Sequence, residues 1–233
     1  MSNKRNKKVV KKRKIKKKAI LIFLSFILIL ALGIYGLYQI KITNIYIIGN
    51  DILTDQEIMK LAHIDNYPKT MNNSSMIIKE RLEQSDYIKS AKVKKKGYLN
   101  EIYITIEENK PLFYYQIKDK VILSDGTEVS GNLNIPIVTN EIDKNVYDKF
   151  IDCMKKIDND VFVKISEIKY DPNDIDEERF YLTMNDGNYV YVTLHKFENI
   201  NNYINIVKTF NGAKGILYLD SGEYFEIFNE TDE

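Results

Sequence analysis

A catalytic chain must carry a proton shuttle, a nucleophile or a set of metal ligands, and these 233 residues offer few candidates. His63 and His195 are the two histidines, and neither stands in an H-E-x-x-H pair or close in sequence to Cys153, the single cysteine. By their surroundings His63 ends a short helix and His195 ends a strand, positions that suit capping or surface roles. Cys153 sits beside the apolar stripe of an expected helix, where a thiol is buried and inert. No G-x-S-x-G, S-x-x-K or glycine-rich phosphate loop occurs, and the ten glycines fall largely in turns. The run Asp171 to Glu178 gathers carboxylates as a calcium loop does. An EF-hand, however, needs glycine at its sixth position, and here Ile175 is fifth and Asp176 sixth, so the run reads as a solvated loop. No catalytic, cofactor or metal residue is expected, which leaves binding surface as the chemistry to look for.

The element that must position such a surface is Ala19 to Ile40, which holds no charged residue. As a helix it would be about 33 Å long, against a hydrocarbon core of roughly 30 Å. Its Leu, Ile and Phe side chains each favour insertion by roughly 0.3–0.6 kcal/mol. Met1 to Lys18 carries eleven basic residues and no acidic one, which holds that end in the cytoplasm and places Lys41 to Glu233 outside. A cleavable signal peptide has the same polarity, but its apolar core is only about 7–15 residues long, and Ala31-Leu32-Gly33 is a poor cleavage site. An uncleaved single-pass anchor is the expectation. The basic tail could also suit nucleic acid, yet beside a spanning helix, orientation and anionic lipid explain it. The net charge of +1 hides an asymmetry: beyond Lys18, 23 basic residues face 33 acidic ones. The exported part is acidic and without an internal disulfide, so its fold rests on packing.

Outside the anchor, Ile42 to Ile48 reads as a strand closed at Gly49-Asn50. Thr54 and Glu57 form a capping box for a short helix with Ile58, Leu61 and Ala62 on one face, and Asn72 to Ser75 caps a second helix with Ile78 and Leu82. Two strands follow, Ile88 to Lys95 and Leu99 to Glu107, turned at Gly97-Tyr98. In the second, Ile102, Ile104 and Ile106 alternate with polar neighbours, so one face is buried. This β-α-α-β-β order predicts an α+β module. Beyond it the chain reads as mostly strand: Phe113 to Ile117, Val121 to Leu123, Thr127 to Val129, Val161 to Tyr170, Phe180 to Met184, Tyr189 to Leu194, Gly215 to Asp220 and Tyr224 to Phe228. Ser124-Asp125-Gly126 and Asn185-Asp186-Gly187 read as hairpin turns. Two helices are expected, Lys144 to Ile157 with Val146, Phe150, Met154 and Ile157 inward, and Phe197 to Phe210 with Ile200, Tyr203, Ile204, Val207 and Phe210 inward.

Ile45-Tyr46-Ile47-Ile48-Gly49-Asn50, Thr54 to Ile58, Tyr87 to Val93 and Ile102 to Pro111 resemble, in that order, a POTRA module. The closing Ile-Glu-Glu-Asn-Lys-Pro, Ile106 to Pro111, looks like that of the FtsQ/DivIB family of bacterial cell division proteins. Leu123 to Val129 and Ile216 to Phe225 are similar, more loosely, to the opening and closing segments of that family's β domain. The resemblance implies a basic cytoplasmic tail over residues 1–18, a transmembrane helix over 19–40, a POTRA domain over 41–110, a mostly antiparallel β domain over 111–228 and a short acidic tail over 229–233. It also implies a non-catalytic scaffold at the division septum that helps couple its partners to septal peptidoglycan synthesis. The partners implied are small single-pass coiled-coil proteins of the FtsL and FtsB/DivIC type.

The last strand is the expected docking element, because a sheet edge exposes unpaired N–H and C=O groups that accept another chain's strand. Matched by position on the turn Asp220-Ser221-Gly222, the resemblance implies a partner-binding segment of Leu219, Asp220, Ser221, Gly222, Tyr224, Phe225, Ile227 and Phe228. The competing reading is that these aromatics are core, since alternate strand positions face inward. Two other functions stay open. A POTRA polypeptide-transport protein would continue into a β-barrel, for which too little chain remains here, and an anchored cell-wall enzyme would show activity on peptidoglycan.

Overall fold

The computed structural model describes residues 16–97, 99–131 and 133–228. Most of the expected basic tail, the residue Tyr98 of the Gly97 turn, and the acidic tail lie outside the described residues. The first element, α1 (Lys17–Tyr38), has a mean hydropathy of 2.8 over its most apolar stretch and no buried residue, so it is long and apolar enough to cross a membrane. The hydroxyl of Ser25, its one serine, donates back to the Ile22 carbonyl at 2.8 Å, which spares lipid an unpaired donor. Packing then divides the chain into two compact units, one of residues 1–48, 55–82 and 92–105, the other of 49–54, 83–91 and 106–233.

In the first unit, α1 is followed by β1 (Asn44–Ile48), α2 (Asp55–Leu61) and α3 (Ser75–Leu82). The strands β2 (Ile88–Lys96) and β3 (Glu101–Glu108) complete a three-stranded sheet of order β1-β3-β2, in which β1 and β3 run parallel with Ile45 opposite Ile102 and Ile47 opposite Ile104. Ile58, Ala62, Ile78, Leu82, Ile102 and Ile104 form the buried side, as the alternation in β3 requires. The start of α3 is capped as expected, Ser74 Oγ accepting the Ile77 N–H at 3.2 Å. The chain between α1 and β1 is short and tied down. The Ile42 N–H donates to Pro68 O and the Thr70 N–H to Ile40 O, while the Lys69 ammonium lies 4.4 Å above the Tyr38 ring.

The second unit is built on a nine-stranded mixed sheet. Its strands are β4 (Pro111–Tyr115), β5 (Lys120–Leu123), β6 (Glu128–Val129), β7 (Ile137–Val138), β8 (Ile165–Tyr170), β9 (Arg179–Met184), β10 (Tyr189–Thr193), β11 (Gly215–Tyr218) and β12 (Tyr224–Ile227), in the order β12-β11-β10-β9-β8-β7-β4-β5-β6. The helices α4 (Lys144–Met154), α5 (Asn159–Phe162) and α6 (Tyr203–Lys208) share one continuous core with it, including Phe113, Phe150, Phe180 and Phe197. Phe150 stacks on Phe180 at 4.6 Å between ring centres, and Phe197 meets both rings edge-on. A satellite cluster of Val121, Leu123 and Val129 packs with Tyr87, Tyr114 and Ile135.

Several elements differ from the sequence expectation. Residues 161–164 are not strand, because the Asp158 carbonyl takes the Val161 and Phe162 N–H groups and starts the single turn of α5. The helix α4 ends at Met154, although Ile157 still packs on the core. The long helix expected over Phe197 to Phe210 is instead a 3₁₀ segment, Leu194–Asn202, followed by α6. Leu194, Phe197, Ile200 and Tyr203 recur every third residue and all are buried, a spacing that suits three residues per turn better than 3.6. His195 therefore opens this segment rather than ending a strand. The two-residue β7 lies between β4 and β8, parallel to both, and carries too short a pattern to be read from sequence.

The motif Ile106 to Pro111 has a structural explanation within this unit. Glu108 extends its carboxylate to three successive backbone N–H groups, those of Asp51 and Ile52 at 2.8 Å and Leu53 at 2.9 Å. Asn109, 4% exposed, donates to Asp86 O and to Asp125 Oδ2, and its N–H reaches Tyr87 O. The motif is a clamp on three loops. Gly49, at φ +91°, approaches the Ile106 carbonyl so closely that a Cβ would stand 2.2 Å from its oxygen, which explains the glycine in the Gly49-Asn50 turn.

Candidate partner-binding edge

The turn between β11 and β12 is held from three directions. Asp220 receives the Arg179 Nε–H at 2.8 Å and both the N–H and hydroxyl of Ser221, while its carbonyl accepts from the Lys196 ammonium at 3.1 Å. Asn199 fixes the neighbouring Glu223 at 2.8 Å. Burial by itself pushes the Asp220 carboxyl up, but the Arg179 and Ser221 hydrogen bonds outweigh it and hold the group below the usual carboxylate range. Arg179 also pairs with Asp171 at 2.8 Å and lies 3.7 Å above the Tyr191 ring. Asp171, read from sequence as part of a solvated acidic loop, is thus one arm of a structural ion-pair network.

From this turn β12 runs antiparallel to β11, with Tyr224 opposite Tyr218, Phe225 opposite Leu217, Glu226 opposite Ile216 and Ile227 opposite Gly215. Among the described residues it pairs with β11 alone, so its other side ends the sheet. The eight residues expected to bind a partner separate by position. Leu219, 1% exposed, is a core residue, and Phe225 turns inward to pack on Phe210 at 4.5 Å between ring centres. Tyr224, Ile227 and Phe228 are exposed to 50%, 47% and 38%, and Ser221 is exposed beside a half-buried Gly222. Asp220 positions the turn rather than presenting itself to solvent. The edge contributes three apolar side chains, not five.

A feature missed in the sequence lies on the sheet face that the helices leave uncovered. Tyr181, Tyr191, Tyr218 and Tyr224 stand opposite one another across β9, β10, β11 and β12, with ring centres 4.7 Å, 5.5 Å and 4.7 Å apart along the row. Tyr189 stacks on Tyr181 and meets Phe228. Burial raises the Tyr181 phenol to about 12, so that ring is neutral and protonated at physiological pH. The signal was present as Tyr at every second position of Tyr189-Val190-Tyr191-Val192, whose partners Val190 and Val192 are fully buried.

The remaining candidates stay apart from any site. His63 and His195 are exposed, His63 at φ +54° just past α2. Cys153 is half-buried with its thiol 3.6 Å from Leu194 O, and burial raises its pKa, which leaves less thiolate. Among the described residues no group of His, Cys, Asp or Glu is placed to hold a metal ion.

An apolar helix of spanning length, a β-α-α-β-β module and a larger mixed sheet with an open aromatic edge define a POTRA-bearing protein, and the family model for the FtsQ-type POTRA domain matches residues 40–109. The chain is 30% identical over 237 residues to the cell division protein DivIB of Listeria monocytogenes, covering 97% of this chain and 87% of that one. It is 28% identical over 222 residues to DivIB of Bacillus subtilis, covering 91% and 84%. The chain belongs to the DivIB family of cell division proteins. The extracytoplasmic domain of DivIB from Geobacillus stearothermophilus, in its trans isomer, aligns over 45% of this chain and 96% of that domain at 20% identity, with a TM-score of 0.37.

Proposed function

We propose that this protein is a non-catalytic scaffold of the division septum, anchored by α1 with its N-terminus in the cytoplasm and the rest outside the cell. It receives small single-pass coiled-coil partners of the FtsL and FtsB/DivIC type and helps couple them to septal peptidoglycan synthesis. The working division is a POTRA domain over 41–110 and a β domain over 111–228. The observation that carries this reading is the open edge of β12, where Tyr224, Ile227 and Phe228 are exposed beside unpaired backbone. A partner strand added there would extend the sheet by main-chain hydrogen bonds, with the tyrosine row as a platform for its outward side chains.

The test is capture of the partner by the full chain in detergent. Tyr224→Glu places a charge at the end of the tyrosine row and is expected to weaken capture at least about tenfold, a loss of about 1.4 kcal/mol, with an unchanged melting temperature. Phe225 is a poor test position because it packs on Phe210 and the core. Undiminished capture by Tyr224→Glu and Ile227→Glu together would remove β12 as the docking edge, and normal septation after depletion would remove the division role itself.

A further inference from the structure

Within the second unit a cavity of about 300 Å³ opens where the end of α6 meets the start of β11. One wall is apolar, formed by Ile204, Val207 and Ala213, and the rim carries Lys164, Lys208 and Lys214. Elsewhere in this unit the lysines are largely neutralised: Lys118, Lys149, Lys155, Lys156 and Lys169 each meet a carboxylate. Lys164, Lys208 and Lys214 make no ion pair or side-chain hydrogen bond among the described residues. Three uncompensated ammonium groups around one concavity, in an exported part whose balance is acidic, form a local positive field.

The carboxylate that also lines the cavity, Asp186, offsets only part of this field, one negative charge against three positive ones. Asp186 accepts the Tyr203 hydroxyl at 2.7 and 2.8 Å and both the N–H and the side-chain amide of Asn188, so its oxygens are engaged inside the protein. Tyr203 and Asn188 are each 1% exposed, and the side-chain amide oxygen of Asn188, Oδ1, accepts the Gly215 N–H at 3.0 Å. Burial, then the neighbouring Asp186, raises the Tyr203 phenol and keeps it a donor. This satisfied network makes the wall rigid, as a pre-formed site requires.

We infer that the cavity binds a small phosphate monoester, its dianionic head among Lys164, Lys208 and Lys214 and its carbon skeleton against Ile204, Val207 and Ala213. Lysine ammonium groups act as point charges toward phosphate, and the volume stands at the small end for ligand sites, so the ligand is compact. The inference stands apart from the docking edge, although the Phe228 N–H donates to the Lys214 carbonyl, so the rim adjoins the end of β12.

The test is calorimetric titration of the full chain in detergent with glycerol 3-phosphate, with glycerol and sulfate as controls. Saturable one-site binding of the ester is expected. Binding should weaken at least about tenfold in the combined Lys164→Gln, Lys208→Gln, Lys214→Gln variant and stay unchanged in Lys149→Gln, Lys155→Gln. On the unmutated protein, glycerol 3-phosphate should protect Lys208 and Lys214 from amine acylation while leaving Lys149 reactive. Absence of saturable heat, equal affinity for sulfate, equal affinity in the triple variant, or protection no greater at Lys208 and Lys214 than at Lys149 would each overturn the inference.

Discussion

Gly215 opens β11 opposite Ile227, and a methyl group added there would stand 2.0 Å from Glu226 O, 2.9 Å from Glu226 C and 3.0 Å from Ile227 Cα. All three atoms are backbone, so Gly215→Ala is relieved only by moving β12, and by at least about 1 Å if ordinary contact is to be restored. Overpacking of this kind costs about 1–3 kcal/mol. Unfolding the whole sheet would cost far more than releasing its last strand, which is held by one ladder, the Phe225 ring and the bond from Phe228 N–H to Lys214 O. The strain should therefore appear as local opening. Hydrogen exchange of the amides from Phe225 to Phe228 is expected to speed up by about 5- to 150-fold, the equivalent of that energy, while amides in β9 and β10 keep their protection. Partner capture should fall in parallel, because the proposed docking edge is then detached for part of the time. Unchanged exchange at Phe228 together with undiminished capture would refute both the geometry at Gly215 and the role given to β12. Loss of protection throughout β9 and β10 would show instead that β12 is integral to the core.

Other substitutions test the surrounding framework. Glu108→Gln leaves one neutral acceptor for the three N–H groups of Asp51, Ile52 and Leu53, and should lower stability by about 1–3 kcal/mol in chemical denaturation; an unchanged midpoint would show that solvent replaces the carboxylate. Asp220 has a folded pKa below its unfolded one, so its contribution is complete at neutral pH and is lost as pH falls through the folded value, below about pH 4. Arg179→Met removes the main group that holds this pKa down, so the melting temperature should be lower at neutral pH and fall less steeply in acid than that of the unmutated protein; an identical acid profile would dissociate the pair from stability.

The sequence made the POTRA portion legible because its signals are local and mutually consistent: alternation in Ile102, Ile104 and Ile106, the cap at Ser74, and turns at Gly49 and Gly97. The hairpins at Gly126 and Gly187 were readable for the same reason, since both glycines take positive φ, +87° and +85°. What failed were features set by tertiary context. A helix of period 3.6 was expected over residues 197–210, where a threefold spacing from Leu194 to Tyr203 produces a 3₁₀ segment, and Val161 is buried on a helical turn rather than a strand. At the candidate site the chain position of β12 was legible, but the facing of its side chains needed the register. That register turns Phe225 inward with Leu217 and sets Tyr224 beside Tyr218. The tyrosine row belongs to four strands, so no single segment displayed it.

The row has a spectroscopic consequence. The chain holds 17 tyrosines and no tryptophan, so its near-ultraviolet emission is tyrosine emission alone. Rings 4.7 to 5.5 Å apart exchange excitation before they emit, so light absorbed at Tyr181 can leave from Tyr224 at the edge of the sheet. Emission from the row is thus shared with Tyr224 on the strand proposed to receive a partner, and quenching or depolarisation of that light would report on occupancy of the edge without any added label.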